Sequence, residues 1–199
     1  MTRIIGGDAG SLALKVPPQG TRPTSDRVRE AIFSALESRD ALRGARVADL
    51  YAGSGAQGLE AASRGAASVT LVDSSSRAGA ICRANASTVT RAAERSLHVD
   101  TVVAAVQTWL ERSADSIRYT LVFLDPPYDL SEEHLAANLA SLVAHLDDDA
   151  TIVVERSSRS PQPQWPRGIA CVRSRRYGET VVWWAERDAD QPAAPSHSV

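Results

Sequence analysis

Val47-Ala48-Asp49-Leu50-Tyr51-Ala52-Gly53-Ser54-Gly55-Ala56-Gln57-Gly58 carries an apolar strand into a glycine turn and then into a helix start. Gly53, Gly55 and Gly58 stand at G-x-G-x-x-G spacing. Missing side chains there permit a tight turn, backbone approach to a ligand and close helix–strand packing. Asp73 closes the next apolar run, where an acid in such a β-α-β unit accepts hydrogen bonds from ribose hydroxyls. Alone, this spacing suits a dinucleotide or a nucleoside cofactor. Asp49 favours the nucleoside. A carboxylate just before the turn repels a pyrophosphate, but it suits a cation such as the sulfonium or amino group of S-adenosylmethionine. Tyr51, Ala52 and Ser54 complete the candidate cofactor loop, and a nicotinamide cofactor is the competing reading.

Outward from this loop, apolar runs alternate with helical spacing. Strands are predicted at 46–50, 68–73, 97–105, 119–124 and 150–155, and helices at 56–64, 77–90, 106–112 and 132–144. Such alternation predicts a parallel sheet with helices on both faces. Val28, Ile32, Phe33 and Leu36 share one face of an earlier helix that Thr24 or Ser25 can cap. Segments 169–176 and 179–187 flank Tyr177-Gly178 as a C-terminal antiparallel pair, completing an α/β, mostly parallel sheet of seven strands. Residues 3–16 read as an N-terminal β-hairpin around Gly6-Gly7-Asp8-Ala9-Gly10, followed by the linker Pro17-Pro18-Gln19-Gly20. The expected division is a hairpin and linker at 1–20, one domain at 21–187 and a disordered polar tail at 188–199.

Asp125-Pro126-Pro127-Tyr128 ends the run 119–124. Proline donates nothing to a ladder, so the strand stops at Pro126. A rigid turn follows, holding one acid and one flat ring. That pairing suits a planar group bearing an NH2.

Net charge is only −2 over 199 residues, which by itself argues against a nucleic-acid binder. The distribution points the other way. No Lys or Arg lies between Arg118 and Arg156, while Asp125, Asp129, Glu132, Glu133, Asp147, Asp148, Asp149 and Glu155 concentrate negative charge there. From Arg156 to Arg176 the sign reverses, and no acid interrupts the arginines. Further positive charge sits at Arg3, Lys15, Arg22, Arg27 and Arg29, so basic regions flank an acidic one, as suits a polyanion. No apolar run reaches membrane-spanning length, and the first residues lack a signal-peptide core. Cys82 and Cys171 are too few for a disulfide framework or a zinc site. The expectation is a cytoplasmic, metal-free protein.

The glycine turn after Asp49, Asp73 at the second strand end and Asp125-Pro126-Pro127-Tyr128 at the fourth together resemble an S-adenosylmethionine-dependent methyltransferase of the Rossmann-like class I fold. Three segments narrow the likeness: Arg3-Ile4-Ile5-Gly6-Gly7, the block from Arg22 to Glu30, and the stretch from Ala52 to Gly65. They resemble the bacterial 16S ribosomal RNA guanine-N2-methyltransferases of the RsmD family, from Arg3 to about Glu186. The resemblance implies transfer of a methyl group to a guanosine N2 of 16S ribosomal RNA, within a small-subunit particle, by a monomer. Asp125, Pro126, Pro127 and Tyr128 would then grip the base. Arg3, Lys15, Arg22, Arg27, Arg173, Arg175 and Arg176 are the candidate RNA contacts.

Two positions depart from the family pattern. Ser75 stands where a second acid is common, and the adenine-facing position after the third strand offers Ala104-Ala105-Val106 and then Gln107. Ser75 and Gln107 join the candidate cofactor set on that basis. The competing activities are methylation of adenine N6 or of a protein glutamine by the same D-P-P-Y chemistry, and a non-catalytic ribosome-assembly factor.

Overall fold

The computed structural model describes residues 2–16, 26–93, 95–112, 117–188 and 190. The chain begins with β1 (Thr2–Arg3), β2 (Ala13–Leu14) and α1 (Asp26–Glu37). It continues through β3 (Arg46–Leu50), α2 (Ala56–Ser63), β4 (Ser68–Asp73), α3 (Ser76–Ala92), β5 (His98–Val103), α4 (Val106–Arg112) and β6 (Tyr119–Leu124). The last elements are α5 (Glu132–Leu142), β7 (Leu146–Ser157), β8 (Ile169–Tyr177) and β9 (Thr180–Arg187). One seven-stranded sheet runs in the order β5-β4-β3-β6-β7-β9-β8. β3 pairs in parallel with β4 and β6, and β9 is antiparallel to both β7 and β8.

Strands inside a parallel sheet are buried on both faces and read as continuous apolar runs. Val47, Leu50, Leu121, Val122 and Phe123 are fully buried accordingly. Two cores result. One packs Val28, Ile32, Phe33 and Leu36 of α1 with Leu59 of α2 and Cys82 and Val89 of α3. The other packs Trp109 and Leu110 of α4 with Leu135, Leu139 and Leu142 of α5. The strand order reverses between β3 and β6, the place where open α/β sheets form a crevice beyond their carboxyl ends.

The predicted alternation is present, with shifted ends. β7 begins at Leu146 and takes in the acids Asp147, Asp148 and Asp149, a charge run that argues locally against a strand. Arg46 forms an ion pair with Asp147, and the register to β6 shifts between Tyr119 and Leu121. α5 stops at Leu142 and tightens into a 3-10 turn over Val143–His145. The hairpin has only two paired residues on each strand. Its Ile4, Ala9 and Leu14 are buried in the first core, and its loop is held by Glu60, whose carboxylate accepts from the amides of Ile5 (2.7 Å) and Gly6 (2.9 Å). The predicted linker, the caps Thr24 and Ser25, Arg22 and nearly all of the tail lie outside the described residues. Among the described residues no helix is long and apolar enough to cross a membrane, and no cluster of His, Cys, Asp and Glu is placed to hold a metal.

Candidate active site

The glycine turn leaves β3 at Tyr51, whose φ of 65° is left-handed for a residue with a side chain. Asn138 of α5 donates to its hydroxyl. The Ala52 amide donates to the Val72 carbonyl at 3.0 Å, tying the turn to β4. Gly53 and Gly55 have φ of 57° and 77°, which only glycine adopts freely. Asp73 receives the Gly53 amide on one oxygen at 2.9 Å and the Ser75 amide on the other at 2.8 Å. Each of those oxygens keeps a second lone pair. The Ser75 hydroxyl caps α3, accepting from the Ala78 amide at 3.3 Å.

Gly58 lies in the first turn of α2 against the sheet. A Cβ there would come within 2.6 Å of Leu71 Cδ2, 2.8 Å of Val69 Cγ1 and 3.1 Å of Asp49 Cβ. Its amide, one of the orphan donors of a helix start, is accepted by Asp49 Oδ2 at 2.8 Å. Burial pushes the Asp49 carboxyl up to about 8, the Gly58 bond opposes the rise, and the negative charges of Asp125 and Asp73 add to it. Three acids therefore meet at one end of the sheet.

β6 leaves the ladder at Asp125, whose amide lies 3.5 Å from the Leu50 carbonyl, past normal hydrogen-bond range. Pro126 is buried, whereas Pro127 and Tyr128 are exposed. The Pro127 carbonyl accepts from the Leu130 amide at 3.0 Å, closing a turn with Tyr128 on it. Tyr128 is 68% exposed. Behind this loop, buried Arg156 of β7 donates to the Leu130 carbonyl at 3.2 Å and pairs with Glu132. Glu155 beside it accepts from Gln57 of α2.

The remaining candidates fall into separate groups. Gln107 bridges α4 to α5, donating to Glu111 at 2.8 Å and Ser141 at 2.9 Å. Ser54 offers its carbonyl to Asn85, which also bonds both the amide and the carbonyl of Lys15. Lys15 is thereby tied to the glycine turn through its backbone. Arg3, Lys15 and Arg27 are exposed. Arg173 lies 4.4 Å over the Trp184 ring and Arg175 lies 5.2 Å over the Tyr177 ring, while Arg176 donates to the Gly178 carbonyl. Arg175 shares a register row with Val182 and Glu155, one step past the Leu124–Val154 pair, so it stands toward the end of the sheet at which Asp125 follows β6.

Sequence reasoning missed Asn85, Asn138 and Glu60, and read Arg156 only as the start of a basic run. A signal existed for the two asparagines. Asn85 falls on the buried stripe of α3 with Cys82 and Val89, and Asn138 on that of α5 with Leu135 and Leu142. An amide on an apolar stripe must find partners.

The family model described as Conserved hypothetical protein 95 matches residues 2–186. Ribosomal RNA small subunit methyltransferase D of Escherichia coli K12 is 31% identical over 188 residues, covering 94% of this chain and 90% of that protein. YlbH of Bacillus subtilis is 31% identical over 183 residues, covering 90% of this chain and 96% of that protein. The solved structure of Escherichia coli yhhF superposes with a TM-score of 0.80 at 30% identity, covering 94% of this chain and 98% of that one. By the extent of these matches, the chain belongs to the Conserved hypothetical protein 95 family.

Proposed function

We propose that this protein transfers a methyl group from S-adenosylmethionine to the exocyclic N2 of a guanosine in 16S ribosomal RNA. The observation that carries the reading is the meeting of Asp125 with Asp49 and Asp73 at the crevice where the strand order reverses. The name of the Escherichia coli relative, a small-subunit ribosomal RNA methyltransferase, supports the substrate class.

The residues fit the donor. Asp73 has lone pairs left for ribose hydroxyls, and the bare Gly53–Gly55 backbone admits a close ligand. Asp49, burdened by two neighbouring acids, gains from a cation placed beside it. S-adenosylmethionine, when bound, supplies an electrophilic methyl on a sulfonium. The chain supplies the rest. The Asp125 carboxylate and the Pro126 carbonyl accept the two N–H bonds of the target amino group. Its nitrogen then pyramidalises and frees a lone pair otherwise delocalised into the ring. Tyr128 presents an exposed ring on which the base stacks. The nitrogen would take the methyl as its bond to sulfur breaks, that bond's electron pair going to sulfur to leave a neutral thioether, and would shed one proton to solvent, so the residues' part is mainly positioning. The base leaves its helix to enter the crevice.

In this reading the unit at 1–20, the N-terminal hairpin with its linker, contacts RNA, and the segment 21–187 is the catalytic domain. Arg3, Lys15, Arg22 and Arg27 with Arg173, Arg175 and Arg176 hold the flanking phosphates, and the substrate is a small-subunit particle met by a monomer in the cytoplasm. Mass mapping of small-subunit ribosomal RNA from cells with and without the gene tests it. A methylated guanosine that disappears on deletion, and returns when the purified protein is supplied with the donor, is the expected result. Label from the donor entering DNA or protein but not ribosomal RNA overturns it.

A further inference from the structure

Helix α5 touches both loops of the crevice. Near its middle, buried Asn138 donates to the hydroxyl of Tyr51, on the glycine turn. At its start, Glu132 pairs with Arg156. The same Arg156 nitrogen donates to the Leu130 carbonyl, and Leu130 in turn donates to Pro127 across the turn that carries Tyr128. A continuous set of bonds therefore runs from the donor-side loop, along one helix, to the loop after Asp125.

Arg156 is an expensive residue for its place. It is 5% exposed on a strand of the sheet interior, where an aliphatic side chain would pack without desolvating a charge. A buried pair is weak evidence of stabilisation, and its best-attested use is to hold one register among several. Among the described residues, the Arg156 side chain donates to the Leu130 carbonyl and to Glu132, both on the segment that follows Tyr128. We infer that α5 is a strut fixing the distance between the donor loop and the target-base loop, with Arg156 as the positioning residue that fastens its catalytic end. Arg156 touches neither donor nor base. It acts by keeping the Pro127–Leu130 turn closed, so that Tyr128 and the Pro126 carbonyl stay at the height of the methyl. The inference rests on the methyl-transfer reading for its catalytic part only.

The test uses Arg156→Met, Arg156→Lys and Glu132→Gln in the full chain. Donor affinity is measured by calorimetry, kcat on small-subunit RNA at saturating donor, and hydrogen exchange of the Leu130 amide by mass spectrometry. A displacement of about an ångström at the reacting atoms costs on the order of 100-fold in rate. Arg156→Met is accordingly expected to lose about that much kcat while donor affinity changes by less than about twofold, the split that marks a lost transition-state arrangement. Leu130 exchange should quicken by at least about tenfold as its turn opens. Arg156→Lys, which keeps a charged donor on a shorter stem without the planar guanidinium, should fall between. Unchanged kcat and unchanged Leu130 exchange in a folded variant overturn the proposal, as does a loss of donor affinity equal to the loss of kcat. Should Arg156→Met fail to fold, Glu132→Gln decides, because that side chain is 24% exposed at a helix start. Should the wild-type protein transfer no methyl to ribosomal RNA, the proposed function fails, and Leu130 exchange still tests the strut separately.

Discussion

Asp49 Oδ2 accepts the Gly58 amide at 2.8 Å while its carboxyl lies buried beside the charges of Asp125 and Asp73. Its affinity for a proton is raised from the ordinary 3.8 to about 8. Between those values the folded chain binds more protons at this site than the unfolded one. The contribution to stability is therefore fully present below about pH 4 and is lost as pH rises through about 8, at up to about 1.4 kcal/mol per pH unit. Urea titrations between pH 5 and 8.5 should show that loss, and Asp49→Asn, which keeps an acceptor for Gly58, should flatten it. Parallel curves for the two proteins count against the assignment. A cationic donor favours the ionised form, so its binding near pH 7 should release protons, seen as buffer-dependent calorimetric heats that Asp49→Asn abolishes.

Gly58 shows the packing side of the same contact. Alanine is better in a helix by about 1 kcal/mol. At Gly58, however, its methyl would meet Leu71 and Val69 inside 3 Å. Overpacking of a close-fitted core costs about 1–3 kcal/mol. Gly58→Ala should therefore lower the denaturation midpoint and also weaken donor binding, since the helix start carries the amide that Asp49 holds. An unchanged midpoint would mean that α2 slides outward at no cost.

Tyr128 makes the opposite prediction, because most of its ring faces solvent. Removing it should leave stability within about 0.5 kcal/mol of wild type. Stacking on a base is worth about 1–3 kcal/mol, so Tyr128→Ala should lower kcat/KM for RNA by the matching factor, while Tyr128→Phe retains most of it. Equal rates for the two variants would remove the stacking role.

The parts of the fold fixed by side-chain period were readable from the residues. β3, β4 and β6 span the predicted 46–50, 68–73 and 119–124, because strands buried on both faces are mostly apolar and the glycine turn, Asp73 and the Asp125-Pro126 stop mark their ends. The start of β7 was not readable, since Asp147, Asp148 and Asp149 look like a loop until the Arg46 ion pair and the shifted pairing with β6 are seen. At the site, glycine spacing and the D-P-P-Y stop located both loops, for each is a backbone requirement written in residue type. What joins the loops was hidden. Asn138, Arg156 and Glu132 become neighbours only through tertiary packing, and a single arginine in an apolar strand reads like a rim charge. Gln107 shows the same limit, because only the packing of α4 on α5 turns its amide to Ser141.

Glu60 supplies the last prediction, at the point where the hairpin meets the domain. It is fully buried, yet its carboxylate accepts from Ile5, Gly6 and the Arg64 guanidinium together. Three donors, one of them charged, satisfy both of its oxygens in the interior. Glu60→Ala removes the acceptors of the Ile5 and Gly6 amides at once and leaves Arg64 its pair with Glu37 alone, so it should cost about 1–3 kcal/mol for the unpaired donors. Glu60→Gln is the sharper probe. It keeps the shape and one acceptor oxygen but sets an NH2 against amides that also donate. The Ile5 and Gly6 amides should then exchange faster, while donor affinity, which depends on Asp73 and the glycine turn, should hold. If the hairpin carries RNA, KM for the RNA should rise in the same variant. Faster exchange at Ile5 and Gly6 with an unchanged KM for RNA would separate the hairpin from recognition.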